Sequence, residues 1–390
     1  MNQNTENMSS EPPGGNFMLI VREVTDKHLL DTFIKVPWLI YADDPNWVPP
    51  LIFERREAFS AKHPFFEHAR WKAWVVYEHG IAVGRISAQI EELHLERYED
   101  ATGYFGLIEA RPNPAVFKLL FQTAESWLRS QGMNRIVGPY NLNPNQETGL
   151  LVEGFNTPPN VMMGHGCDYY DSSVKNCGYT PAQEMLAYEM AIEFETPKVM
   201  QRLCQRVGKD VSIRILDSKN VERDLEIMRD IFNDAWSENW GFVPYTENEF
   251  RAVGKEMLLI LPKNFIHIAE LEGEAVAFIV LLPNLNEIIG DLNGRLLPFG
   301  WIKLLWRLKV KFPTTCRTPL MGVRKKFHDT RLGAALAFMV IDATRQSALE
   351  KGLVTSELSW ILETNKGMCS IIESMGGVIN KRYRMYEKQL

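Results

Sequence analysis

Hydrophobic and polar positions along this chain alternate in two well-separated places. The stretch WKAWVVYEHGIAVGRISAQI, near residue 80, alternates as two strands about a His-Gly turn, and FIHIAELEGEAVAFIVLL, near residue 273, does the same about Glu-Gly. Upstream of the first pair lies PWLIYADDPNWVPP and upstream of the second AWSENWGFVPY. Each carries two tryptophans and ends in Val-Pro, at Val48-Pro49 and Val243-Pro244. Downstream, the period changes to that of a helix. FKLLFQTAESWLRSQGMNRIVG predicts a helix closed by Gly132 and then a strand. The segment from Leu332 to Glu350 predicts a helix closed near Gly352, followed by the strand VTSELSWI. CGYTPAQEMLAYEM and GGVINKRYRMYEKQL then each place a tyrosine ten residues after a glycine, Gly178 to Tyr188 and Gly376 to Tyr386.

The same features in the same order, twice, indicate a duplication. The pattern predicts two α+β units, 17–195 and 212–390, each a mixed and mostly antiparallel sheet flanked by helices. Residues 1–16, polar and rich in turn formers, are expected to be a disordered tail. The second unit carries an extra segment, 284–313, between its early strands and its long helix. A length of 390 residues fits two domains.

Composition narrows the function classes. With 43 basic against 49 acidic residues the chain lacks the strongly basic balance of a general nucleic-acid binder. The five cysteines stand singly, without a CxxC pair, which reads as reduced thiols and not as a disulfide framework or zinc site; no metal is expected. No apolar run approaches the roughly 20 residues that span a bilayer, so a cytoplasmic protein is expected.

Two segments of the second unit resemble the GCN5-related N-acetyltransferase (GNAT) superfamily. PLMGVRKKFHDTRLGAALAFMVIDA looks like its fourth strand, acyl-CoA loop and third helix, and ELSWILETNKGMCSIIESMGG like its fifth strand, Asn and fourth helix. A helix N-terminus binds anions, and small residues let a pyrophosphate approach the backbone. The resemblance thus implies acyl-CoA as co-substrate, held by Met321, Val323, Arg324, Lys325, Lys326, Arg331, Gly333, Ala334 and Asn365, with a backbone N–H of the strand Met321 to Val323 polarising the thioester carbonyl. Two positions depart from the family's pattern: Arg331 stands at the loop's first glycine, and Ile372 at the position that often holds the tyrosine protonating the thiolate. The first unit has no such loop, since RPNPAVF follows its strand YFGLIEA, and reads as a degenerate partner.

For the base, Glu357 on the fifth strand and His328 in the loop are the candidates; a solvent-facing or ion-paired role is open for both. Asp234 and Glu238 sit in the first helical region, which borders the acceptor site in the family; helix-surface charge is the commoner explanation for them. Tyr140, Asn141, Asn145 and Glu147, in the polar loop GPYNLNPNQETGLLVEGFNTPP, are expected to contact the acceptor. Trp236, Trp240 and Phe242 are expected to line an acyl tunnel or pack in the core. His165 and Cys167, in MMGHGCDYY, have no third partner to suggest a nucleophile.

The segment PFGWIKLLWRLKVKF, 298–312, sets Lys303, Arg307 and Lys311 on one helical stripe against Trp301, Leu304, Leu305, Leu308 and Phe312. That is the pattern of a helix lying on an anionic membrane surface, and equally of a helix packed between the units, while LKVKF alone alternates as a strand. The plan is similar to the bacterial ceramide synthase type of GNAT-like protein. It implies a long-chain acyl group passed from acyl-CoA to the amine of a lipid-like acceptor such as a sphingoid base, in lipid metabolism at the inner face of the membrane. The alternatives are a catalytically silent lipid- or protein-binding module and an aminoacyl-tRNA-dependent transferase on the same fold.

Overall fold

A computed structural model describes residues 18–390, so the expected tail at 1–16 lies outside the described residues. In the first half, β1 (Ile20–Glu23), α1 (Lys27–Ile40) and α2 (Ile52–Ala58) precede the hairpin β2 (Ala69–Glu78) and β3 (Ile81–Glu91). Then come α3 (Glu92–Tyr98), β4 (Thr102–Ala110), α4 (Pro114–Ser130) and β5 (Arg135–Gly138). The short strands β6 (Tyr140–Asn141), β7 (Glu147–Thr148) and β8 (Leu150–Glu153) follow, then α5 (Tyr170–Asn176) and β9 (Thr180–Ala191). A connecting helix, α6 (Lys198–Val207), leads to the second half. There β10 (Val211–Ile215), α7 (Val221–Ala235) and α8 (Glu247–Leu258) precede the hairpin β11 (Ile266–Leu271) and β12 (Glu274–Pro283). The inserted helices α9 (Asn286–Ile289) and α10 (Gly300–Val310) come next, then β13 (Thr315–Val323), α11 (Arg331–Glu350), β14 (Thr355–Leu362), α12 (Lys366–Ser374) and β15 (Val378–Gln389).

Side-chain caps start both long helices: Thr330 accepts from the Gly333 N–H at the start of α11 and Asn113 from the Ala115 N–H at the start of α4. Gly132 and Gly352, with φ of 85° and 78°, turn the chain away after α4 and α11.

The two halves repeat one pairing scheme. β1 runs antiparallel to β2 as β10 does to β11, and each hairpin pairs onward with β4 or β13. β4 pairs parallel with β5 through Thr102–Tyr104, and β13 with β14 through Thr315–Thr318. The halves also exchange their last strands. β15, from the second half, lies against β5; β9, from the first, lies against β14; and β9 and β15 pair with each other along most of their length. One 13-stranded sheet results, in the order β1-β2-β3-β4-β5-β15-β9-β14-β13-β12-β11-β10, with β8 on β15.

A buried polar contact fixes one half on the other. His68 Nδ1 lies 2.7 Å from Glu91 at the end of β3, and its Nε2 lies 3.2 Å from Glu249 on α8. Glu249 also closes a capping box with Thr246 and accepts from Asn143 at 3.0 Å. Burial alone would lower the His68 pKa, but its bonds to Glu249 and Glu91 outweigh it and raise the value to about 10.

Two outcomes follow from this architecture. Residues 17–195 and 212–390 expressed separately should each lack a folded spectrum by circular dichroism, because each lacks the strand that completes its sheet, and co-expression should restore it. His68→Gln should cost on the order of 1–3 kcal/mol, read by urea unfolding. Because the folded-state pKa of His68 is raised, the deficit should be full below the ordinary histidine value of 6.5 and shrink as pH climbs toward 10. A pH-independent deficit would assign the loss to packing.

Candidate functional site

Pairing between β13 and β14 stops at Thr318 and Leu358, and the strands part. Between them opens a cleft of about 580 Å³. Its walls are the free edge of β13, the far part of β14, the loop before α11 and the start of α12. Met321, Val323, Lys325, His328, Gly333, Ala334 and Asn365 all line it.

The free edge of β13 has a defined polarity. The Met321 carbonyl accepts from the Trp236 indole N–H at 2.9 Å, and the Val323 carbonyl from His328 Nε2 at 2.8 Å. In an extended strand the N–H and C=O of one residue point to the same edge, so the N–H groups of Met321 and Val323 also face the gap. The N–H groups expected to polarise a carbonyl therefore lie on the cleft edge. The His328 bond makes Nε2 the protonated nitrogen and leaves Nδ1 as an acceptor.

The loop is a tight turn, not an open basic cradle. Phe327 and Thr330 N–H groups bond back to the Arg324 and Phe327 carbonyls. A Cβ on Gly333 would sit 2.1 Å from the Phe327 carbonyl oxygen, so only glycine fits there. Three of the expected phosphate cations have local carboxylate partners: Arg324 with Asp230, Lys325 with Glu238, and Lys326 with Glu274. Arg324 and Lys326 do not line the cleft. Arg331 is exposed on the first turn of α11, has no ion pair among the described residues, and lies off the cleft wall. Asp234 accepts from the Lys325 N–H at 2.8 Å, so with Glu238 it braces the loop from α7. Ile372, buried at the cleft wall, brings no phenol to it.

Glu357 is not at the cleft. It is buried on the other face of β14, where Ser359 Oγ donates to it at 2.8 Å and Arg317 lies 4.0 Å away. Burial raises its pKa against the opposing pull of Arg317. Arg317, itself fully buried, donates to Ser359 Oγ and to the Ser359 and Val161 carbonyls and stacks over Trp360 at 4.7 Å. The side chain thus supports the strand from behind, because alternation turns residue 357 away from the face that Leu358 presents to the cleft.

Behind the gap lies a second chamber of about 100 Å³ that shares Trp236, Trp240, Pro319 and Trp360 with the cleft. Tyr140, Asn145 and Phe242 line it, as do Asn239, Tyr245 and Trp360, which were not among the expected residues. Trp360 could have been found, since it stands in VTSELSWI on the strand that parts. The lining holds no carboxylate and no imidazole among the described residues. Asn141 and Glu147 belong elsewhere: Asn141 accepts from the Leu107 N–H on β4, and Glu147 pairs with Arg55 at 2.9 Å.

The first half has closed the equivalent gap. A Cβ on Gly106 would lie 1.8 Å from the Tyr140 carbonyl oxygen, so the loop after β5 lies directly on β4. His165 pairs with Asp44 at 2.7 Å, and burial pushes the Cys167 thiol up to about 11, far from a nucleophile's range. The described residues contain no group of three or more metal-ligating side chains and no helix long and apolar enough to cross a membrane.

In 298–312 the helix forms, as Gly300–Val310, but its faces differ from those expected. Leu304 and Leu308 pack inward with Ile288, Ile289 and Val48. Arg307 is drawn to the protein by Asp291 and the Ile288 carbonyl, while Phe312 packs on Phe265. Trp301, Leu305 and Trp306 are 47%, 52% and 56% exposed, beside Ile302 and Phe299.

No protein-family model matches the chain. Among solved structures, a tandem GNAT protein from the clavulanic acid biosynthesis pathway superposes with a TM-score of 0.56 at 9% identity, over 95% of this chain and 98% of that one. A GCN5-related N-acetyltransferase from Sphaerobacter thermophilus gives 0.52 at 11% identity, over 95% of each chain. These show the fold. In sequence, the chain is 47% identical over 372 residues to the protein YghO of Escherichia coli (strain K12), covering 95% of both. It is 45% identical over 364 residues to the bacterial ceramide synthase of Caulobacter vibrioides (strain NA1000 / CB15N), covering 93% of this chain and 95% of that protein. The chain belongs to the family of these two proteins and is an acyltransferase on the tandem GNAT fold.

Proposed function

We propose that this protein transfers a long-chain acyl group from acyl-CoA to the amine of a lipid-like acceptor such as a sphingoid base. The observation that carries the reading is the gap between β13 and β14, which joins a loop-and-helix cleft on one face of the sheet to an aromatic chamber on the other. The name of the Caulobacter relative supports the acceptor class. The CoA pyrophosphate would lie at the start of α11, where the Asp329, Arg331 and Leu332 N–H groups have no protein partner among the described residues. Its thioester would reach the Met321 and Val323 N–H groups, which stabilise charge on the carbonyl oxygen as the amine attacks. Bringing the two substrates to one gap supplies most of the acceleration. His328 Nδ1 on the cleft wall takes the amine proton as the C–N bond forms; the C–S bond then breaks and CoA leaves as the thiolate, which takes up a proton from His328 or solvent. The aminoacyl-tRNA alternative finds no support, because three of the four cations about the loop, Arg324, Lys325 and Lys326, are already paired with carboxylates. The exposed Trp301, Ile302, Leu305 and Trp306, with Lys303, Lys309 and Lys311 nearby, would rest on an anionic membrane surface.

Calorimetric titration with acetyl-CoA and palmitoyl-CoA tests the donor site. Palmitoyl-CoA should bind, and Gly333→Trp, which drives a side chain against the Phe327 carbonyl, should weaken it at least about tenfold. A folded wild-type protein that binds neither thioester would sink the reading. His328→Ala should lower kcat by about 10²–10⁴-fold in a mass-spectrometric assay of amide formation from palmitoyl-CoA and sphinganine; an unchanged rate would remove His328 as the base. Trp301→Glu with Trp306→Glu should abolish co-sedimentation with anionic vesicles and leave palmitoyl-CoA binding intact.

A further inference from the structure

The loop after the first helix of each half crosses the sheet and ends in Val-Pro, at Val48-Pro49 and Val243-Pro244. In the second half that loop walls the aromatic chamber. In the first half it walls another chamber, of about 180 Å³, which the reaction described above does not use. Its floor is polar: Arg55, Arg85, Glu109, Glu147 and His165 line it, with Tyr41 donating to Glu109 at 2.5 Å. Its roof is apolar and comes from the insertion, through Leu285, Ile289, Leu304 and Leu308.

Three groups of this floor are buried and unmatched. Arg85, 7% exposed, and Arg55 each have an Nε–H with no protein partner among the described residues, and His165 Nδ1 has none either. His165 holds Asp44 through Nε2, which leaves Nδ1 to accept. Two donors and one acceptor are thus unmet in a buried place, where unmet polar groups are costly. A hydroxyl group can satisfy both kinds. The lining also sets three carboxyl groups, Glu54, Glu109 and Glu147, against two guanidinium groups, a balance that favours a cation. The roof helix presents Leu304 and Leu308 to the chamber and Trp301, Leu305 and Trp306 to the outside. One helix therefore separates the chamber from the surface best suited to touch lipid.

We propose that this roofed chamber is a second amphiphile site, which takes the hydroxyl- and amine-bearing head of a single-chain amino alcohol while the chain leaves beneath α10. The proposal rests on the lipid-amine reading above and assigns the first half a task, to hold acceptor drawn from the membrane before it reaches the gap.

The test uses sphinganine carrying a diazirine in its chain, photolysed on the whole protein and mapped by peptide mass spectrometry. Label is expected in peptides spanning 304–308 or 159–165 and should be displaced by unlabelled sphinganine. Leu308→Trp, which fills the chamber from its roof, should reduce that label and weaken sphinganine binding at least tenfold, with palmitoyl-CoA binding unchanged. Label confined to 236–245 and 358–362, or saturable binding untouched by Leu308→Trp, would overturn the proposal. If Leu308→Trp does not fold, the labelling map of the wild type decides alone. Failure of palmitoyl-CoA to bind would remove the transferase reading and leave the map readable.

Discussion

Two parallel strands that separate must find new partners for the backbone groups they stop sharing. That constraint governs the second half of this protein. Past Thr318 and Leu358 the edge of β13 faces open space, and an unpaired backbone polar group removed from water is unfavourable by kilocalories. The fold satisfies part of that edge with side chains: Trp236 takes the Met321 carbonyl and His328 the Val323 carbonyl. It leaves N–H groups toward the gap. On the other side β14 is held by β9, a strand from the first half, and by the buried set of Arg317, Ser359 and Glu357 on its far face. The gap stays open because both of its walls are anchored elsewhere.

The first half meets the same constraint by closing up. There the chain after β5 lies on Gly106, and the Asn141 side chain takes the Leu107 N–H. The loop that fills this gap then continues past Asn143, bound to Glu249, and Asn145, bound to the Val243 carbonyl, to become a wall of the other half's aromatic chamber. The first half thus has no gap of its own and supplies part of the wall of the chamber in the other half. The exchanged strand β9 adds Met185 to the same chamber and pairs directly with β14.

How much of this could be read from the chain depends on distance along it. The hairpins, the helix stops at Gly132 and Gly352, the repeated order and the loop at Gly333 are local patterns, and each forms where its residues predict. That Trp236, Trp240 and Phe242 line one chamber could be read from their clustering, though Trp360 was passed over. What could not be read required partners remote in sequence. Strand exchange leaves no mark on either strand's own alternation. Arg324, Lys325 and Lys326 read as phosphate cations because their carboxylates, Asp230, Glu238 and Glu274, lie in other elements. Glu357 read as a base because alternation gives a face but not which face is the cleft. In α10 the apolar residues span more than one stripe, and the stripe that turns inward is the one that meets Ile288 and Ile289, with Arg307 held by Asp291 and the Ile288 carbonyl.

The ion pairs around the loop have a mechanical consequence. Exposed pairs contribute little to stability, about 0–1 kcal/mol each, so Lys325 with Glu238 is no strong brace by itself. Yet the same short stretch of α7 and its following turn also binds the Lys325 N–H through Asp234 and the Met321 carbonyl through Trp236. Trp236 in turn stacks on Phe232 at 5.0 Å, and both line the aromatic chamber. The loop before α11 and the wall of that chamber are therefore joined by one run of contacts, from the Lys325 N–H through Asp234 to Trp236 and Phe232. A displacement of α7 would be felt at both, because its side chains touch both.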